Sequence, residues 1–268
     1  MRFVDSQWAV ILGGSSGFGL ATAQKLAEHG MSCFLLHRDR RGAMARIEPE
    51  FERIRREGVS LVTLNVDALD PTVRADALVR LAEALGPAGR VRVLLHSIAF
   101  GNLKPLLPGP ERGAVLEDED FARTIHAMGT SLVGWSRDLL ERRLFADDAR
   151  VFGLTSEGNT VAWRGYAAVA AAKVALESVS RAMAVEFAPF GVRTNIIQAG
   201  VTDTPALRAI PGHERLGAQA RERNPFGRLT TPRDVANVIY LLSTDEAAWV
   251  NGALIRVDGG EHVAGAIT

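Results

Sequence analysis

The sequence predicts an α/β chain: one domain over residues 1–268, built on a doubly wound parallel sheet of seven strands with helices on both faces. Three observations lead there. Short apolar runs alternate with longer stretches of helical period. The runs are rich in Val, Ile and Leu instead of alternating with polar residues. The first run ends in a glycine-rich turn that opens a helix. Strands covered on both faces read as continuous apolar runs, because neither face meets water. Repeated βα units imply right-handed crossovers between parallel strands.

In chain order, the strand-length runs are 8–12, 32–36, 60–64, 91–95, 150–154, 193–197 and 253–257. Helical patterns fill the intervals at 19–29, 41–57, 71–85, 118–144, 166–187 and 232–242. Pro and Gly gather at 101–113 and 199–232, where loops are due, and neither stretch reads as a linker. There is no internal repeat or low-complexity tract, and α/β sheets of one domain reach this length.

Composition narrows the function classes. The formal net charge is +0, so no global field draws the chain to nucleic acid or anionic lipid. Cys33 is the sole cysteine, which excludes an internal disulfide and any multi-cysteine metal site; no metal is expected. The start lacks a signal-peptide core, and no apolar stretch approaches the roughly 18 residues of a membrane span. A cytoplasmic location is expected.

The first run ends in Leu12-Gly13-Gly14-Ser15-Ser16-Gly17-Phe18-Gly19. Glycines permit a tight turn, let the backbone approach a pyrophosphate, and allow close packing of helix on strand. The helix start adds free N–H groups and a partial positive charge for phosphates. Placed between the first strand and first helix of a βαβ unit, this is a Rossmann-type dinucleotide site. The end of the second strand chooses the cofactor. An acid there binds a ribose 2′-hydroxyl, whereas an arginine accommodates a 2′-phosphate. Here His37 stands at the acid's usual place and Arg38 follows, so NADPH is expected over NADH. Asp39 could still turn inward.

With Gly13, Gly17 and Gly19 in a Gly-x-x-x-Gly-x-Gly spacing and a close of Val257-Asp258-Gly259-Gly260, the chain resembles the short-chain dehydrogenase/reductase family over nearly its whole length. The family's usual tyrosine, four before the active lysine, is absent: Val169 stands four before Lys173. Of the two tyrosines, Tyr240 falls on an apolar stripe, which leaves Tyr166, seven before Lys173. Two helical turns return these positions to one face, about 10 Å apart along the axis. This Tyr-x6-Lys spacing resembles the divergent branch that includes the enoyl-acyl-carrier-protein (enoyl-thioester) reductases. His96-Ser97-Ile98-Ala99-Phe100 after the fourth strand and Ala199-Gly200-Val201-Thr202-Asp203-Thr204 after the sixth resemble that branch as well. One departure is Ser156, where many of its members have a second tyrosine and where ketone-reducing relatives keep their active serine. The buried asparagine of the family's fourth helix also has no clear counterpart near 126–131.

The resemblance implies the following roles. Cofactor contacts fall to Gly13, Ser15, Ser16, Gly17, Phe18, Gly19, Arg38, Ser97, Ile98, Ala99, Gly200, Val201, Thr202 and Thr204. Asn65 and Val66 lie beside the adenine. Tyr166 stabilises an enolate, Lys173 holds the nicotinamide ribose and supplies positive charge, and Ser156 is a secondary donor. Residues 202–228 form a substrate lid, with 206–220 as a mobile helix whose Arg208, Arg215, Arg221 and Arg223 could meet phosphates of coenzyme A or of an acyl carrier protein. The expected reaction is NADPH-dependent reduction of an α,β-unsaturated acyl thioester, in fatty acid or polyketide metabolism. Ketone or 3-ketoacyl reduction and a non-catalytic NADPH-binding role are the alternatives. A homotetramer is implied, with helices 118–144 and 166–187 pairing across two-fold axes through Ala167, Ala168, Ala170, Ala171 and Ala172.

Overall fold

A computed structural model describes residues 2–109 and 113–264. Residues 110–112 of the Pro- and Gly-rich stretch lie outside these. Among the described residues one sheet holds seven strands: β1 (Gln7–Leu12), β2 (Ser32–His37), β3 (Leu61–Asn65), β4 (Arg90–His96), β5 (Phe145–Thr155), β6 (Val192–Ala199) and β7 (Leu254–Val257). All pairs are parallel, in the order β3-β2-β1-β4-β5-β6-β7.

Successive side chains of a strand point to opposite faces, and here both faces are covered. Val10, Leu12, Phe34, Leu36 and Leu94 face one layer, against Leu78 and Leu81 of α3 (Pro71–Leu85), Trp135 of α5 (Ser131–Glu141) and Leu176 of α6 (Ala167–Glu186). Ala9, Ile11, Cys33, Leu35 and Val93 face the other. There they meet Leu26 of α1 (Gly17–Glu28), Phe51 of α2 (Met44–Arg55) and Ile239 of α9 (Pro232–Leu242). Fully burying each Leu, Ile or Phe of this kind contributes about 1.5–3 kcal/mol.

Two helices expected to be continuous are broken. The 118–144 stretch divides into α4 (Asp118–Ile125), a π-type turn over His126–Thr130, and α5. Gly129 lies in that turn, and a Cβ on it would sit 3.0 Å from the Ala172 carbonyl oxygen of α6. Having no side chain, Gly129 lets this turn approach the α6 backbone closely. The expected lid helix over 206–220 is also two pieces, α7 (Pro205–Arg208) and α8 (His213–Arg223). Pro211 intervenes, and Gly212 adopts φ +78°, a left-handed conformation that stops one helix and redirects the chain into the next.

Candidate active site

Strand order reverses between β1 and β4, and in such sheets ligands bind beyond the carboxyl ends of the strands at that point. A cavity of about 540 Å³ lies there, walled by the turns that follow β1 through β6 and by α7 and α8. The glycine turn is shaped by close contacts. Gly13 has φ +89°, and a Cβ on it would lie 2.4 Å from the Ser97 carbonyl oxygen. A Cβ on Gly19 would lie 2.1 Å from the Gly13 carbonyl oxygen, so Gly19 lets α1 close onto the turn without itself lining the cavity. Ser16 precedes α1 without a side-chain cap, which leaves the first N–H groups of the helix to an anion. Ser15, Ser16, Gly17 and Phe18 line the cavity beside them. Thr204 approaches Gly17 across the gap, its Cγ2 3.5 Å from where a Gly17 Cβ would be. This cradle of backbone donors around space that side chains would fill fits a dinucleotide pyrophosphate.

At the β2 end, Arg38 lines the cavity with its guanidinium 4.8 Å over the Phe100 ring and its Nη1 donating to Asp67 at 2.5 Å. Asp39 also lines the cavity, and its carboxylate accepts from or pairs with the buried His37 ring at 3.0 Å. Val66 lines the wall, but Asn65 does not. The Asn65 amide is already used: its oxygen accepts from the Asp39 N–H at 2.9 Å and its nitrogen donates to the Asp39 carbonyl at 3.0 Å. It clasps the backbone after β2 through these two bonds. Asp67, two residues on, lines the cavity with Arg38 and Asp39.

At the α6 end the expected residues converge. Tyr166 stands immediately before α6, 8% exposed, its hydroxyl 3.5 Å from Ser156 Oγ. Burial pushes the phenol's pKa up, and the Ser156 hydrogen bond opposes this in part. Lys173 is also 8% exposed; its ammonium donates to the Leu154 carbonyl at 2.7 Å. Burial lowers its pKa to about 8, with Glu177 acting the other way. Glu177, one turn beyond Lys173 on α6, accepts from Thr155 Oγ1 and from Asn159 Nδ2, each at 2.6 Å. The segment carrying Ser156 is therefore pinned on both flanks. Ser97, Ile98, Ala99, Gly200, Val201 and Thr202 complete this wall. His96, just below, is buried and bonded through Nε2 to Ser131 Oγ at 2.8 Å. Burial, followed by the nearby Lys173 charge, lowers its pKa to about 3, so it is a neutral pin between β4 and α5.

Sequence reasoning missed several residues. Trp163 stacks on Tyr166, ring centroids 4.3 Å apart at 29°, and both line the cavity. A Cβ on Gly158 would fall 2.4 Å from the Tyr166 ring edge, so this glycine makes room for the tyrosine. An aromatic three residues before Tyr166 carries no motif, which is why the pattern did not disclose it. Of the four arginines expected to meet phosphates, Arg208 is paired with Asp203 and Arg223 with Glu157 and Glu261; Arg215 and Arg221 are exposed on α8.

A doubly wound sheet with a glycine cradle at its switch point and a buried Tyr–Lys pair beside it defines a short-chain dehydrogenase/reductase. The family model described as "Enoyl-(Acyl carrier protein) reductase" matches residues 13–262, and the chain belongs to that family. It is thus an oxidoreductase of a family that uses nicotinamide cofactors, which sets aside the non-catalytic alternative. The chain is 29% identical to a cis-4-hydroxycyclohexanecarboxylate dehydrogenase of Sinomonas cyclohexanicum, over 94% of this chain and 95% of that one. It is 27% identical to the 3-oxoacyl-(acyl-carrier-protein) reductase of Escherichia coli, over 97% and 98%. The enoyl-(acyl-carrier-protein) reductase (NADH) structure from Aquifex aeolicus shares the fold, with TM-score 0.81 and 24% identity over 98% of this chain and 99% of that one.

Proposed function

We propose that the protein uses NADPH to reduce the carbon–carbon double bond of an α,β-unsaturated acyl thioester, carried on coenzyme A or an acyl carrier protein. The observation that supports this best is the placement of a buried Tyr166 just before α6 with Lys173 two turns on, in a cavity that also has an apolar wall at that end. Leu103, Met128, Trp163, Val169 and Ile210 line it and suit an acyl chain.

The bound nicotinamide would supply a hydride to the substrate's β-carbon. Tyr166, kept protonated by burial, donates its O–H to the thioester carbonyl oxygen and stabilises the enolate that forms there. Lys173, cationic at neutral pH, holds the ribose hydroxyls and favours negative charge on that oxygen. Ser156 is a second donor toward the same oxygen. Solvent returns the proton to the α-carbon. The glycine turn with Ser15, Ser16, Gly17 and Thr204 would hold the pyrophosphate, and Arg38 the 2′-phosphate. Glycine Gly19 shapes the turn, and Asn65 supports the β2 loop that carries Arg38.

A second reading, ketone or 3-ketoacyl reduction, is favoured by one observation: Ser156 Oγ stands 3.5 Å from the Tyr166 hydroxyl, so two donors converge as a ketone oxygen requires. NADPH oxidation measured side by side with crotonyl-coenzyme A and acetoacetyl-coenzyme A separates the two. Faster turnover of the crotonyl thioester is expected.

We also propose a cytoplasmic single-domain homotetramer assembled through α4–α5 and α6. No helix among the described residues is long and apolar enough to cross a membrane. Val174 and Val185 are exposed apolar residues on α6, which suits such a contact. Light scattering at micromolar concentration should give about four chain masses; a monomer would overturn the assignment.

A further inference from the structure

Three charged side chains from distant parts of the chain meet at one nitrogen. Arg223 is the last residue of α8, and its Nη2 donates to Glu157 Oε1 at 2.9 Å and Oε2 at 2.8 Å, and to Glu261 Oε1 at 2.6 Å. Glu157 follows Ser156 directly and lines the cavity. Glu261 lies beyond β7, is 2% exposed, and through its other oxygen accepts from the Val201 N–H at 3.2 Å. Val201 belongs to the turn after β6 that also lines the cavity. The turn is tight against this carboxylate, since a Cβ on Gly200 would lie 2.8 Å from Glu261 Oε2. Among the described residues Arg223 Nε is buried without a hydrogen-bond partner, so the guanidinium is oriented through Nη2 by the two carboxylates.

A buried carboxylate such as Glu261 is costly unless a cation and hydrogen bonds satisfy it. Arg223 supplies that cation only when α8 lies against the crevice. One contact therefore joins the lid, the segment bearing Ser156 and the turn bearing Val201.

We infer that Arg223 is a positioning residue: its ion pairs with Glu157 and Glu261 make docking of α8 the condition under which Ser156 and the Val201 turn are aligned for the reaction. This deepens the reading of the cavity as the oxidoreductase site and holds for either substrate class. The same contact removes Arg223 from the residues that could bind a phosphate of the substrate's carrier arm.

The test compares Arg223→Gln, Arg223→Lys, Glu157→Gln and the double variant Arg223→Gln/Glu157→Gln, each first checked by thermal melting. Hydrogen–deuterium exchange of the full chain with and without NADPH needs no substrate, so it is independent of the enoyl assignment. Arg223→Gln should raise exchange together in α8, in residues 156–160 and in residues 200–204, and leave α3 unchanged. With whichever thioester the wild type reduces, kcat should fall on the order of tenfold to a hundredfold, as small misplacements of reacting groups do, with KM changed much less. Arg223→Lys places a point charge at the same spot and should recover most of the loss. The double variant should be no worse than Arg223→Gln alone, because both break one contact. Wild-type kcat and exchange in Arg223→Gln overturn the inference, as does strict additivity of the two substitutions. Should Arg223→Gln fail to fold, a Glu157→Gln variant with wild-type kcat and exchange overturns it equally. Loss of crotonyl turnover in every protein, wild type included, would instead count against the enoyl reading while the exchange result still decides this one.

Discussion

At the α6 end of the crevice, Tyr166 and Lys173 are each 8% exposed, and the segment between β5 and α6 is tied to Glu177 by two hydrogen bonds. At the β2 end, Arg38 keeps 52% of its side chain in water and its partner Asp67 keeps 39%. The first set is held by several elements before any ligand arrives. The second is a surface ion pair, worth at most about 1 kcal/mol because solvent screens it. The difference separates two tasks. Stabilising a developing charge needs donors that do not reorganise, whereas cofactor discrimination needs only one well-placed cation. Every substitution at the α6 end should therefore cost rate, with cofactor affinity affected as well only at Lys173, whereas those at the β2 end should act on cofactor affinity alone.

The largest effect is expected from Tyr166→Phe, which removes one donor to an oxyanion and should lower kcat on the order of 10²–10³-fold. NADPH affinity should stay nearly intact, measured by equilibrium binding. Lys173→Ala should instead impair cofactor binding and turnover together, because its ammonium serves both. A Tyr166→Phe enzyme at full rate would break the contrast, leaving Ser156 or an ordered water as the carbonyl's donor.

Next is Arg38→Asp. It removes the 2′-phosphate partner and places a second carboxylate beside Asp67, so NADPH Kd should rise roughly 10- to 100-fold, the worth of a charge-assisted hydrogen bond. NADH binding should change little, and Tyr166-dependent rates not at all once cofactor saturates. Equal wild-type affinity for the two cofactors would remove Arg38 from this role.

A smaller effect concerns pH. Burial lowers the Lys173 pKa from the ordinary lysine value to about 8, so its positive charge is lost as pH rises through that value. The kcat/KM profile, which reports the free enzyme, should show a descending limb near pH 8. The same shift has a consequence for stability. Between about 8 and the ordinary lysine value the unfolded chain binds the proton and the folded chain does not, so this residue's unfavourable contribution to folding is relieved as pH rises. His96 should contribute no limb at neutral pH, because its pKa is held at about 3.

The sheet was legible because its strands are buried on both faces and carry little else: Val10, Leu35 and Leu94 could hardly do anything but pack. The glycine turn was legible because only glycine meets the demands at Gly13 and Gly19. Breaks in helices were harder to see. The π-type turn at His126–Thr130 contains no proline, and Gly129 within it packs against the α6 backbone, a tertiary contact invisible in the local pattern. At the β2 end, Asn65 was expected to face the cavity because its position suits an adenine contact. Its amide bonds the Asp39 N–H and carbonyl, a tertiary contact that the local sequence does not disclose. The Arg223 contact joins positions 157, 223 and 261, and no periodicity links such distant residues.

The proposed activity is tested most directly by following the label when crotonyl-coenzyme A and acetoacetyl-coenzyme A are offered separately with deuterated NADPH, carrying deuterium at the transferable C4 position. The structure's Tyr166–Lys173 arrangement leads us to expect butyryl-coenzyme A with one deuterium on its β-carbon, formed faster than any product from the ketone and slowed on the order of 10²–10³-fold in Tyr166→Phe. No conversion of the crotonyl thioester, with deuterium appearing instead on the carbinol carbon of 3-hydroxybutyryl-coenzyme A, would contradict it.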